Sequence, residues 1–195
     1  MKCKIPEISW HNRDPVLSVD IQPKTNGNQN CYRLASGGTD AHVLIWYMQL
    51  TSTGEHGDIE LDLAADLSRH QKAVNVVKWS PNGELLASGD DESFVIIWKL
   101  KSDSEPLNIL DPTNDQDKEV WITLKVLRGH VEDIYDLSWS PDSQYLITGS
   151  VDNSAMLWDV QKGKRLSTLN DHKGFVQGVA WDPKNQYIAT LSTDR

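Results

Sequence analysis

The chain has 195 residues, 38% of them hydrophobic and 24% charged, with a formal net charge of −9 and two cysteines, Cys3 and Cys31. This is the composition of a globular chain. It excludes a helical membrane span, because no apolar run approaches ~18 residues, a disulfide framework, and an unaided nucleic-acid binder, which would carry a basic footprint. The charged N-terminus is followed by no apolar stretch, so a signal peptide is not expected. So few cysteines suit a reducing compartment.

The first regular element is Val16-Leu17-Ser18-Val19-Asp20-Ile21, whose alternation and β-branched residues predict a strand. Gln22-Pro23 turns the chain, and further strands are expected at Arg33–Gly37, Val43–Met48 and Ile59–Leu63. A second unit repeats the order: Val74–Trp79, the turn Ser80-Pro81-Asn82-Gly83, then Leu85–Gly89, Phe94–Lys99 and Trp121–Leu127. A third gives Ile134–Trp139, the turn Ser140-Pro141-Asp142-Ser143, then Tyr145–Gly149, Ala155–Val160 and Arg165–Leu169. A fourth begins with Val176–Trp181, Asp182-Pro183-Lys184-Asn185 and Tyr187–Leu191. Proline pre-sets φ at the second turn position, and the Asn, Asp and Gly residues accommodate the remaining turn positions, so each pair of strands closes as a hairpin.

The spacing is regular. His70 to Trp98 and His130 to Trp158 are both 28 residues, and Ser36, Ser88 and Thr148 each precede a tryptophan (Trp46, Trp98, Trp158) by ten. Strand start to hydroxyl takes 14 residues in units two to four but 20 in unit one, placing six extra residues within 24–32. A repeat of this length with no helical periodicity predicts an all-β propeller of four-stranded blades. The units run about 10–63, 64–127, 128–170 and 171–195: three full blades and half a fourth.

The recurring His…Ser/Thr-Gly…Asp…Trp pattern, with a literal Trp158-Asp159, resembles the WD-repeat β-propeller family over essentially the whole chain. In that family the four side chains form a buried hydrogen-bonded set. The resemblance implies His130, Thr148, Asp152 and Trp158 in unit three. In unit two it implies His70, Ser88 and Trp98; Glu92 stands at the expected turn position with Asp91 one residue earlier, so either the turn is shifted and Asp91 is the acid, or this blade's network is altered. Unit one supplies Ser36, Asp40 and Trp46, with His11 one residue out of step, and unit four supplies His172, Thr190 and Asp194. The family also implies that residues 2–9 complete a last blade absent from this chain. The expected product is an open arc with two unpaired flanks, prone to association.

Within that family, Ile8-Ser9-Trp10-His11-Asn12, Arg69-His70-Gln71-Lys72-Ala73-Val74, Leu127-Arg128-Gly129-His130-Val131-Glu132-Asp133 and Val176-Gln177-Gly178-Val179-Ala180-Trp181 resemble two histone-chaperone propellers. They look most like the middle subunit of chromatin assembly factor one, and next like the repressor of the replication-independent pathway. The resemblance implies a nuclear scaffold for replication-coupled nucleosome assembly. Its partners would be the factor's large and small subunits and, directly or through them, the core histones. Contact with the anti-silencing histone chaperone uses a tail this chain lacks and is not expected.

A Ser, a His and an Asp in each unit also suit a hydrolase. Three or four copies of one active site make little sense, whereas a repeated buried polar set does. No metal-ligand spacing and no phosphate loop occurs, so neither metal nor cofactor is expected. Between blades two and three, residues 101–119 carry six acids against two lysines and are broken by Pro106 and Pro112. The plain reading is a solvated loop; the sharper one is a contact for a basic partner through Asp111, Asp115, Asp117 and Glu119. A ubiquitin-ligase substrate receptor is the competing scaffold, since fold does not fix function, but no adaptor-binding helical motif is visible.

Overall fold

The computed structural model describes residues 10–23, 31–51, 58–102 and 117–194. The expected strand at 2–9, the extra hairpin residues at 24–30 and most of the acidic loop lie outside these. No helix among the described residues is long and apolar enough to cross a membrane. Among the described residues a short 3-10 turn, Trp10–Arg13, precedes fourteen strands.

Three four-stranded antiparallel sheets and one two-stranded sheet follow in chain order. Blade one holds β1 (Val16–Ile21), β2 (Cys31–Gly38), β3 (Val43–Thr51) and β4 (Asp58–Leu67). Blade two holds β5 (Val74–Trp79), β6 (Leu85–Asp90), β7 (Phe94–Leu100) and β8 (Trp121–Arg128). Blade three holds β9 (Ile134–Trp139), β10 (Tyr145–Ser150), β11 (Ala155–Asp159) and β12 (Lys164–Leu169). The last sheet pairs β13 (Val176–Trp181) with β14 (Ile188–Ser192). The proline turns of the last three sheets each close through a residue at positive φ in the same place: Gly83 (71°), Ser143 (60°) and Asn185 (59°).

The core lies between sheets, not within one. Ala35, Val43, Ile45 and Leu67 of blade one pack on Val77, Trp79, Ile96 and Trp98 of blade two. Val76, Val95 and Ile97 on the other face of blade two meet Ile134, Trp139, Met156 and Trp158 of blade three. A strand that alternates buried residues to both faces therefore reads as continuously apolar, as Phe94–Trp98 does.

The first strands of successive sheets are neighbours, and side chains tie them to backbone. The amides of Val77 and Trp79 donate to Ser18 Oγ and Asp20 Oδ2 at 3.1 and 2.8 Å. Those of Val179 and Trp181 donate likewise to Asp136 Oδ2 and Ser138 Oγ at 3.0 and 3.2 Å. A β-bulge recurs beside each third-strand tryptophan, where Trp46 pairs with Leu63, Trp98 with Thr123 and Trp158 with Arg165. The extra residue re-aims the outer strand there, and nothing in the hydrophobic alternation signals it.

Candidate functional site

The polar set of blade three joins three strands and a turn. His130, just ahead of β9, places Nδ1 2.8 Å from Asp152 Oδ2 and Nε2 2.8 Å from Thr148 Oγ1, while Trp158 Nε1 donates to the same Thr148 oxygen at 2.9 Å. One proton arrangement satisfies every group: the indole N–H donates to Thr148, the Thr148 hydroxyl to Nε2, and a neutral imidazole's Nδ1–H to Asp152. Burial disfavours the imidazolium and outweighs Asp152, so His130 titrates below the ordinary histidine range. Burial alone would raise Asp152, but hydrogen bonds from Ser154 and His130 prevail and hold its carboxyl low. A neutral imidazole on an ionised carboxylate is the charge state this network favours.

Blade two builds the same chain of bonds with a different acid. His70 Nε2 lies 2.6 Å from Ser88 Oγ, Trp98 Nε1 donates to Ser88 at 2.8 Å, and His70 Nδ1 meets Asp90 Oδ2 at 2.6 Å. The acid is Asp90, not the expected Asp91. Ser88 and Asp90 are two apart on β6 and share a face, whereas Asp91 is exposed and holds only the Asn75 amide. Asp90 Oδ1 also accepts the Glu92 and Phe94 amides, so one buried carboxylate both anchors His70 and closes the β6–β7 turn. Its counterparts two residues after the hydroxyl are Gly38, Ser150 and Ser192, and that single acidic exception was the available signal.

In blade one His11 joins the set despite its spacing, with Nε2 2.9 Å from Ser36 Oγ and Nδ1 2.7 Å from Asp40 Oδ1; Trp46 Nε1 donates to Ser36 at 3.0 Å. The offset is absorbed by three successive residues at positive φ, His11 (42°), Asn12 (52°) and Arg13 (74°), a conformation that costs side-chain-bearing residues on the order of 1 kcal/mol each. Gly38 makes room: a Cβ there would lie 2.6 Å from His11 Nδ1. In the last sheet His172 Nε2 lies 2.8 Å from Thr190 Oγ1 and Nδ1 3.1 Å from Asp194 Oδ2, with both ionisable side chains about a fifth exposed.

The Ser36, Ser88 and Thr148 residues are all 0% exposed, so their hydroxyls cannot meet a substrate. The first three sets fasten the inner hairpin of each blade to its third strand.

The acidic stretch divides. Asp111 and Asp115 lie outside the described residues, and Asp117 is half-buried. Glu119 is buried and is not a surface contact. Its Oε1 accepts Arg33 Nε at 2.8 Å and the Tyr47 hydroxyl at 2.6 Å, and its Oε2 accepts Trp121 Nε1 at 3.1 Å. Arg33 and Tyr47 come from blade one, Trp121 from blade two, so Glu119 staples the seam where the loop returns. The Lys118 and Glu119 amides both donate to Ala64 O, and Lys118 Nζ pairs with Asp62. Burial, then the bond to Glu119, pushes the Tyr47 phenol up to about 12. Burial lowers Arg33, but bonds and attraction to Glu119 prevail and raise it.

His42 titrates in the opposite sense from His130. Its Nδ1 lies 2.6 Å from Asp66 Oδ1, and that bond, opposed by burial, raises its pKa. Stability from His42 is present below the unfolded histidine pKa of about 6.5 and is lost as pH rises. His130, being lowered, contributes above about 6.5 and loses its contribution as pH falls. Urea melts of a His42→Asn variant should show it less stable than the parent near pH 5.5 and equal to it near pH 8.5. The difference should stay under about 1 kcal/mol, because the pair is partly solvated.

Residues 1–195 match the CAF1B/HIR1 beta-propeller domain from end to end. The chain belongs to that family. It is 48% identical over its full length to the B-type subunit of chromatin assembly factor 1 from Gallus gallus and 45% identical to that from Mus musculus, covering 34% of each. It is 37% identical to Protein HIRA of Dictyostelium discoideum, over 83% of this chain and 14% of that protein. As a member of the CAF1B/HIR1 propellers the chain spans about a third of the length of the chromatin assembly factor relatives it matches.

Proposed function

We propose that the chain is a non-enzymatic nuclear scaffold of a histone-chaperone complex that assembles chromatin, acting in replication-coupled nucleosome assembly beside a large and a small assembly-factor subunit. The observation that carries this is the likeness to the B-type subunit of chromatin assembly factor 1 along the whole chain at 45–48% identity, above the 37% to Protein HIRA over 83% of it. The buried hydroxyls of the first three polar sets support a structural rather than a catalytic role for those sets. Affinity capture from nuclear extract tests the reading: assembly-factor subunits and core histones should co-purify. Recovery of the replication-independent complex in their place would overturn it.

The acidic loop is proposed to meet a basic partner such as a histone. Charge-swapping Asp111 and Asp115 to lysine should weaken capture of core histones and flatten its salt dependence without lowering the melting temperature. Histone recovery identical to the parent's at every salt concentration would refute the contact. Glu119 stays out of this test because the seam needs it.

A further inference from the structure

Blade two departs from the repeat at one corner, and a cavity lies beside it. In blade three the corner is filled: a Cβ on Gly129 would lie 2.8 Å from Trp158 Cη2, 3.1 Å from Met156 Sδ and 3.6 Å from Arg165 Nη1. In blade two the matching positions, set by the same strand registers, hold Arg69, Ile96 and Thr123. Two shorter side chains replace Met156 and Arg165, and the glycine becomes an arginine that reaches Thr123 Oγ1 at 3.2 Å. A cavity of about 430 Å³ lies at this corner, its walls including Arg69, Asp90, Glu92, Phe94, Ile96, Val126 and Arg128.

Arg128 is the chemically informative wall. Its guanidinium carbon lies 4.7 Å from the centre of the Phe94 ring. The five N–H donors of a guanidinium lie in its plane as a fork that fits a carboxylate bidentately. Arg128 is exposed and forms no ion pair with any described residue. Phe94, Ile96 and Val126 offer apolar surface for methylenes behind the charged head. The volume suits a side chain entering from outside, and Asp90 and Glu92, both on the cavity walls, penalise a dianion more than a monoanion.

We propose that this corner of blade two binds a glutamate side chain presented by an acidic peptide segment of a partner protein, with Arg128 pairing the carboxylate and Phe94, Ile96 and Val126 receiving its methylenes. The site is independent of the acidic loop: Phe94 pairs with Arg128 at one end of β7–β8, and the loop leaves from the other, where Leu100 pairs with Trp121. It also stands apart from the chromatin reading, because its occupant is acidic where histones are basic.

Fluorescence polarisation of the full chain with a short fluorescein-labelled glutamate-rich peptide tests it. Arg128→Gln should weaken binding about tenfold, Arg128→Lys should recover only part of that loss, and Glu92→Gln should tighten binding a few-fold. Lys184→Gln, on the exposed β13–β14 turn, should change nothing. The proposal is overturned if the parent does not bind, if Arg128→Gln binds like the parent, if Arg128→Lys restores binding fully, or if Lys184→Gln weakens it as much. Tighter binding of the same peptide bearing phosphoserine would overturn the choice of a carboxylate.

Discussion

Replacing Asp90 by alanine should destabilise the chain by about 3 kcal/mol in urea or thermal melts, while Asp91→Ala should stay within about 0.5 kcal/mol of the parent. Asp90 is 0% exposed and carries three loads: the His70 Nδ1–H and the amides of Glu92 and Phe94. Removing it strands the buried His70 Nδ1–H and two part-buried amides, and the cost of an unsatisfied buried group exceeds the gain from making its bond. Asp91 holds only the exposed Asn75 amide on its side chain, and solvent replaces that freely. The combined variant Asp90→Ser with Glu92→Asp recreates the arrangement of Ser150 and Asp152 in blade three, and should recover more than half of the loss. Equal effects of Asp90→Ala and Asp91→Ala would remove Asp90 from the set.

That contrast marks how far the sequence could be read. The sheets follow from period-two alternation and from proline turns that recur at fixed offsets, both local signals, so most strand boundaries fall within a residue of expectation. The polar sets were legible where their spacing repeats, as in His130, Thr148, Asp152 and Trp158. They became illegible where one blade solves the same problem differently. Asp90 moves the acid from the turn to the strand end, and counting from Ser88 to the usual turn position passes over it. His11 enters through a positive-φ turn and a gap left by Gly38, and neither is written in the spacing between His11 and Ser36. The bulges beside Trp46, Trp98 and Trp158 change register without changing composition. Glu119 was hidden for another reason: its partner Arg33 is 86 residues away, on a neighbouring blade, and no repeat relates the two.

Glu119→Ala should therefore lower stability by about 3 kcal/mol, a core effect rather than a surface one. Alanine leaves the Tyr47 hydroxyl and the Trp121 indole N–H without their acceptor and a half-buried Arg33 without its counter-charge. Glu119→Lys should cost more, because it places a second cation beside Arg33. A double-mutant cycle between Arg33→Ala and Glu119→Ala should give a coupling above about 1 kcal/mol, as expected for groups sharing one network. Charge swaps at Asp111 and Asp115 should leave the melting temperature unchanged, so stability and partner binding separate along a single acidic stretch. If Glu119→Lys melted like the parent and lost only histone capture, Glu119 would belong to the partner surface after all, and blades one and two would owe their seam to apolar packing around Trp79, Trp98 and Trp121 alone.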